Sequence, residues 1–395
     1  MKIALIAASR VPSTAANSIQ VLKVAQAFAR LGHSTTLFVP GAARRASSLE
    51  PDLAAHYGLA ADFSIQWLPA RSAWHRYDFT WSAVQAARRE GAQVVYTWML
   101  QAAVLARTLR MASLLELHDR ITGRMAPWLF RRYMTADGGR TPRRILPITA
   151  AMRRVLEAQF QMTFAPGEVA VSPDGVDLER YTGLPAAPAA RAQLGWPEAP
   201  TAVYTGHFYA GRGMDLLSGL AQACPQVQFV WVGGRPEDVQ AWSARLRQAG
   251  SGNVRLTGFV ENVRLPIYQA GADVLLMPYE RSVATSSGGD TADICSPMKM
   301  FEYMAAGRAI LTSDLPVLHE VLHPDAVPTE GAAAGNGLPG NAVFCPPGDL
   351  PAWSKALTGL LEDQARREAL AQQAARDVRA YSWQERALRA LEGFG

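Results

Sequence analysis

The sequence predicts an α/β chain of two tandem domains, each a parallel sheet covered on both faces by helices. Three observations predict it. Short apolar runs alternate with amphipathic stretches along most of the chain, the pattern of strands buried between helical layers. The alternation breaks once, in a segment dense in proline and alanine, and then restarts. A length of 395 residues is too great for one ordinary core and suits two of common size.

In the first half, residues 2–7, 35–39, 63–68, 93–97, 114–117 and 145–148 are apolar runs of strand length. Helical periodicity fills 18–31, 82–90 and 101–110. Gly32 and Gly91 follow two of these stretches, where a helix end favours glycine. Residues 1–181 thus read as the first domain. Residues 182–200 hold Pro185, Pro188, Pro197 and Pro200 and read as a linker. Strand-length runs resume at 202–205, 228–232, 254–256, 274–277 and 309–312, so residues 201–380 read as the second domain. The glycine- and alanine-rich stretch 329–341 is expected as a flexible surface loop, and 381–395, opened by Trp383, as a last amphipathic helix. Two such sheets with their C-terminal strand edges facing each other would leave a cleft, and open α/β sheets bind ligands at those edges.

Hydrophobic residues at 49% and charged residues at 18% exclude a disordered chain or a fibre. No apolar run approaches the roughly 20 residues of a membrane-spanning helix. Ser9 and Arg10 end the first apolar run too early for a secretory leader, and a buried first strand explains it better. Cys224, Cys295 and Cys345 are far apart and lack metal-ligand spacing, which predicts a reducing cytoplasm and no disulfide framework. Charge is uneven: residues 1–180 hold 22 Lys+Arg against 13 Asp+Glu, the remainder 17 against 21. A basic first half suits an anionic membrane surface or a phosphorylated acceptor, although an arginine-rich solvated surface is the plainer explanation. The expected place is therefore the cytoplasm or the inner face of its membrane, with no nucleic-acid partner.

The most informative stretch is Ser296-Pro297-Met298-Lys299-Met300-Phe301-Glu302-Tyr303-Met304-Ala305-Ala306-Gly307. Ser296 suits a helix N-cap, Pro297 the first helical position and Gly307 the helix end. Such a helix opens after a polar loop with its free N–H groups and positive dipole end exposed, a ready anion site. Lys299 in the first turn is unfavourable beside that dipole unless an anion is present. Glu302 follows at i+3. An ordinary helix with a surface Lys–Glu pair would account for the same residues.

This stretch resembles the nucleotide-binding helix of family-4 retaining glycosyltransferases of the GT-B fold, in the Ser-Pro-x-Lys-x-x-Glu-Tyr-Met-Ala-x-Gly form of bacterial enzymes. The likeness continues through 308–314 and 320–322, and is found earlier at Pro173-Asp174-Gly175-Val176-Asp177, 253–260 and 271–279, in order along nearly the whole chain. It implies two facing Rossmann-like domains, with the C-terminal helix packing back on the first. It also implies a UDP-, GDP- or ADP-sugar as co-substrate, no bound cofactor, and transfer with retention to an acceptor hydroxyl in glycan, glycolipid or glycoconjugate synthesis. The acceptor, whether a sugar, a lipid-linked or a small molecule, is not legible. By the same likeness Glu302 binds the ribose hydroxyls, and the turn at Ser296, Pro297 and Met298 binds the diphosphate. Pro297 has no N–H, so Met298 and its neighbours supply donors and Lys299 a charge. Phe259 and Val260 are implied to lie near the base. Many relatives carry a sugar-contacting glutamate eight positions before the ribose glutamate. This chain has Ile294 there, leaving Asp293 or Asp290 as candidate substitutes.

Residues 204–215 form a second phosphate-binding candidate between a strand and a helix, where Gly206 and Gly213 permit close backbone approach. His207 and Arg212 occupy places where relatives carry basic residues. Arg212 keeps its charge at physiological pH, whereas a neutral His207 would offer only a hydrogen bond. In the first domain Glu116-Leu117-His118-Asp119 ends a strand, and the family places a sugar-contacting histidine there. A histidine at a strand end is otherwise more often structural. The loop 13–18 replaces a glycine pair of many relatives, with Asn17 and Ser18 as candidates to meet donor phosphate or acceptor.

Breaking the anomeric bond leaves negative charge on the departing diphosphate, which Lys299, Arg212 and the helix start are expected to stabilise, with His118 at the sugar. No Asp-x-Asp motif occurs, so no donor-bridging metal is expected. A nucleotide-sugar epimerase of the same architecture and a non-catalytic nucleotide-sugar binder are the alternatives. The second is motivated by Ile294 and His207. The lack of Gly-x-Gly-x-x-Gly after the first strand argues against a nicotinamide dehydrogenase.

Overall fold

A computed structural model describes residues 1–282, 291–325 and 339–394. The chain divides into two compact units, Met1–Asp174 with Trp383–Gly395, and Gly175–Ser382.

The first unit is built on β1 (Lys2–Ile6), β2 (Ser34–Pro40), β3 (Arg44–Ala46), β4 (Ser64–Leu68), β5 (Val94–Thr97), β6 (Ala112–Leu117) and β7 (Arg143–Pro147). They form one sheet of order β3-β4-β2-β1-β5-β6-β7, parallel except for β3, which runs antiparallel on β4. Parallel neighbours require crossovers, and the helices provide them: α1 (Ala16–Arg30), α2 (Pro51–Tyr57), α3 (Tyr77–Arg89), α4 (Leu100–Thr108), α5 (Ala126–Thr135) and α6 (Ala150–Phe160). The chain moves one way from β1 to β2 and the other way from β4 through β5 and β6 to β7. Right-handed crossovers then put α3, α4 and α5 together on the face opposite α1, and α4 packs against both α3 and α5. Strand β1 is apolar on both sides because both faces are covered: Ile3, Leu5 and Ile6 are fully buried. Helix α6 starts where the Thr149 hydroxyl accepts from the Met152 N–H at 3.0 Å.

The second unit repeats the plan with α7 (Ala187–Leu194), β8 (Thr201–Thr205), α8 (Met214–Ala223), β9 (Gln228–Val232), α9 (Pro236–Gln248), β10 (Val254–Gly258), α10 (Leu265–Ala270), β11 (Val274–Met277), α11 (Met298–Ala305), β12 (Ala309–Ser313), β13 (Val343–Cys345), α12 (Leu350–Glu362) and α13 (Gln364–Asp377). Its sheet is parallel throughout, in the order β10-β9-β8-β11-β12-β13. Trp231, Trp353, Leu217, Leu276 and Leu311 lie in its core. The final helix, α14 (Trp383–Leu391), belongs to the first unit and packs on α1, turning Trp383, Arg386, Ala387 and Ala390 inward.

The structure departs from expectation at several points. Residues 182–200 contain α7, and Arg191 on it donates to Gly271 O at 3.2 Å and to Asp273 Oδ2 at 3.1 Å, so the stretch is fastened within the second unit. Residues 175–181 also fall in that unit, where buried Tyr181 donates to Gln269 Oε1 at 3.0 Å. Strands β3 and β13 were not anticipated, being three residues each, too short for a period to register. Of the loop expected at 329–341, residues 329–338 lie outside the described residues. No helix among the described residues is long and apolar enough to cross a membrane.

Candidate functional site

The residues singled out from the sequence gather in two groups, one in each unit.

In the second unit the chain turns sharply after β8. Gly213 caps α8 with φ of 71°, and a Cβ there would stand 1.8 Å from the Pro278 carbonyl oxygen. Only glycine lets the 206–213 loop lie against the segment that follows β11. At Gly206, φ 141°, a Cβ would meet Lys299 Nζ at 2.7 Å, so the missing side chain is what admits the ammonium.

Helix α11 carries Lys299 and Glu302. Its cap is Pro297 and its first residue Met298, one position later than expected. Ser296 is buried and is not the cap, because Pro297 already has extended backbone, φ −76° and ψ 123°. The Tyr303 hydroxyl accepts from Thr205 N–H at 2.8 Å and donates to Leu276 O at 3.3 Å, fastening α11 to the ends of β8 and β11. Gly307, φ 62°, follows the helix end as expected.

Tyrosines line the space between loop and helix. Lys299 Nζ lies 4.0 Å from the Tyr204 ring centre and 5.5 Å from that of Tyr279, and the Arg212 guanidinium lies 5.0 Å from Tyr279 on another side. Arg212 also donates to the Tyr209 hydroxyl at 3.1 Å, and Tyr204 donates to His207 O at 2.7 Å. Neither cation makes an ion pair among the described residues; ring faces lie against both, and Arg212 adds the Tyr209 hydroxyl. Burial first, and then the Arg212 charge, push the Lys299 ammonium well below its ordinary range, with Glu302 opposing. His207 stacks on Tyr209 at 5.3 Å. Burial, then Lys299 and Arg212, hold its imidazole below the usual value, and its buried Nδ1 has no hydrogen-bond partner. Two underpaired cations, a neutral imidazole and the start of α11 make a site electrostatically suited to a multiply charged anion.

Glu302 accepts from Gln269 Nε2 at 3.3 Å, and Gln269 in turn is held by Tyr181. Phe259, just past β10, is 53% exposed and free to offer a ring face, with half-buried Val260 beside it. Ile294 is fully buried, whereas Asp293 beside it is exposed. Asp290 lies outside the described residues.

In the first unit His118 stands just past β6, and its neighbours form a network the sequence only half announced. Glu116 is 0% exposed in its side chain, His118 32%, so the imidazole alone reaches outward. Glu116 Oε1 lies 2.5 Å from His118 Nε2 and 2.6 Å from Arg386 Nη2, and Tyr96 donates to Oε2. Gln20 Nε2 stands 2.5 Å from Glu116 Oε1, 2.9 Å from His118 Nε2 and 3.1 Å from Asp174 Oδ1. Arg386 further donates to Tyr96 Oη at 2.9 Å, Pro173 O at 2.8 Å and Ser172 O at 3.2 Å. Burial drives the Glu116 carboxyl up, but Arg386, His118 and Tyr96 together leave it well below the carboxylate range. Burial lowers His118, yet the bond and charge of Glu116 outweigh it and raise the imidazole. Burial pushes Asp174 up to about 6. Glu116, His118 and Asp174 offer ligand atoms within 4.8 Å of one another, a spacing a cation could use. Arg386 and Gln20 already sit on Glu116 Oε1, so the group has its own internal cation.

The loop before α1 corrects one expectation. Ser18 is fully buried, and its hydroxyl donates to Ser13 O at 3.0 Å and Ala15 O at 2.7 Å, closing the loop instead of meeting a ligand. Asn17 is exposed in the first turn of α1.

Sequence reasoning missed Tyr204, Tyr279, Gln269, Gln20, Tyr96 and Arg386. Arg386 had a legible signal: a charge three residues after Trp383, on the face that Trp383 and Ala390 turn inward.

Both α/β units match models of glycosyltransferase domains. Residues 18–180 match the model described as Glycosyltransferase Family 4, and residues 199–363 that described as Glycosyl transferases group 1. The chain belongs to glycosyltransferase family 4. The phosphatidyl-myo-inositol mannosyltransferase of Mycobacterium tuberculosis is 28% identical over 237 residues, 58% of this chain and 54% of that protein. The chain thus spans about half the length of the curated relatives it matches. Among solved structures, sucrose-phosphate synthase from Thermosynechococcus elongatus superposes with a TM-score of 0.71 at 18% identity, over 98% of this chain and 96% of that one. Anabaena HepE in complex with UDP gives 0.70 at 15% identity, over 100% and 99%. These neighbours share the GT-B fold expected from the sequence.

Proposed function

We propose that this protein transfers a sugar from a nucleoside-diphosphate sugar to an acceptor hydroxyl with retention, in glycan, glycolipid or glycoconjugate synthesis. The carrying observation is the pair Lys299 and Arg212, half-buried around Tyr279 with no ion pair among the described residues, beside the start of α11. A diphosphate supplies the charge they lack. As the anomeric bond breaks, negative charge grows on the leaving phosphate, and preorganised cations stabilise that state more than the ground state. Lys299, Arg212, the Met298 amide and loop 206–213 act there, and Glu302, oriented by Gln269, takes the ribose. We assign no metal to this step, because side-chain cations and helix amides supply the charge. His118, held by Glu116, faces the sugar. Asn17 and Phe259 are assigned to acceptor and base. The relatives' printed names, acting on phosphatidyl-myo-inositol or D-inositol 3-phosphate, support an inositol- or lipid-bearing acceptor, and the lipid-bearing one puts the work at a cytoplasmic membrane face. Neither the epimerase nor the non-catalytic alternative gains support from the site.

Thermal melting with UDP-, GDP- and ADP-sugars tests the reading. One donor class should raise the melting temperature by mass action. Lys299→Ala and Glu302→Ala should each abolish that rise, and Lys299→Ala should cut transfer by on the order of 10²–10³. Full transfer in both variants would defeat it.

A further inference from the structure

Five large apolar side chains stand in solvent on two short stretches of the first unit: Trp74 (58%), Tyr77 (46%) and Trp81 (57%) around the start of α3, and Met125 (56%) and Trp128 (56%) around the start of α5. The core does not use them, since α3 buries Phe79, Ala83 and Val84, and α5 buries Leu129, Phe130 and Tyr133. Both helices run back from the C-terminal edge of the parallel sheet, so their first turns gather at that edge with α4 between them. Two helix spacings put the groups about 20 Å apart.

Cations surround them. Arg71, Arg76, Arg124 and Arg131 are exposed, Arg71 lying 5.9 Å from the Trp74 ring, and residues 120–136 contain no acid. Tryptophan and tyrosine favour the headgroup level of a bilayer, and each cation near an anionic leaflet strengthens binding about fivefold. A protein partner would need a matching acidic patch, whereas arginines spread along an edge match diffuse negative charge.

We propose that this edge, with Trp74, Trp81, Met125 and Trp128 as its apolar anchors, docks on an anionic lipid bilayer. His118 leaves β6 at the same edge of the unit, so docking brings the site to a lipid-borne acceptor; that consequence rests on the transfer reading, while docking itself does not.

Co-sedimentation of the full chain with vesicles of phosphatidylcholine, or of phosphatidylcholine mixed equally with phosphatidylglycerol, tests it without donor or acceptor. Binding should require phosphatidylglycerol and weaken with salt. Trp74→Ser/Trp81→Ser/Trp128→Ser and, separately, Arg71→Glu/Arg124→Glu should each weaken it by roughly tenfold or more. Brominated acyl chains should quench the wild-type tryptophan fluorescence, a readout needing no variant. The proposal is overturned by three results: no binding to phosphatidylglycerol vesicles, unchanged binding in both variants, or lipid-free self-association that the tryptophan variant abolishes.

Discussion

Glu116→Gln is the substitution whose cost the structure sets most tightly. Glu116 and Arg386 are 0% and 2% exposed and stand 2.6 Å apart. Glutamine keeps the shape and removes the charge, leaving the guanidinium on Tyr96 Oη and two carbonyl oxygens. A buried ion deprived of its partner loses about 3–5 kcal/mol. A unit of this size shifts by about 2–4 °C per kcal/mol, so the first unit's melting transition should fall by roughly 6–20 °C in calorimetry of the full chain. Arg386→Met alone should cost a similar amount, by stranding Glu116. The double variant leaves neither member of the pair stranded and should recover at least half of the loss. A single-variant loss below about 1 kcal/mol, or a double variant as weak as the two losses added, would refute the claim that this pair is charged and mutually dependent.

Two further outcomes follow from the same geometry. Gly213→Ala puts a Cβ 1.8 Å from a backbone oxygen and should displace the 206–213 loop, removing nucleotide binding while the first unit melts as before; a variant that binds like the wild type would contradict this. Asp174, raised to about 6 in the fold from a usual value near 3.8, binds its proton more tightly folded than unfolded. Stability should therefore fall as pH rises from about 4 to about 6, and Asp174→Asn should flatten that slope in denaturant titrations across the range.

The strands were legible because both sheets are covered on two faces, so runs such as 229–232 and 274–277 are apolar without interruption. The candidate site of the second unit was legible because its backbone demands particular residues: Gly206 and Gly213 at positive φ, Gly307 past α11. Its tyrosines were not. Tyr204 sits where any buried aromatic would satisfy a strand pattern and Tyr279 just past the end of β11, and their closeness to Lys299 and Arg212 exists only after β8 and β11 pair. Arg386 and Glu116 are 270 residues apart in the chain, and nothing local at either position names the other. Ser18 misled for a related reason. A serine before a helix offers the same hydroxyl to a ligand or to its own loop, and here Ser13 and Ala15 take it.

The return of α14 to the first unit imposes an order on synthesis. The segments on either side of the junction run together, Val176 pairing with Ser382, and Arg386 follows only after the whole second unit has been made. Until then a nascent chain emerging from the ribosome holds Glu116 with no guanidinium and α1 with its outer apolar flank bare. The first unit is therefore begun first and finished last. An expression fragment ending at Asp174 inherits that unfinished state permanently, whereas one in which a short linker joins Asp174 to Trp383 does not.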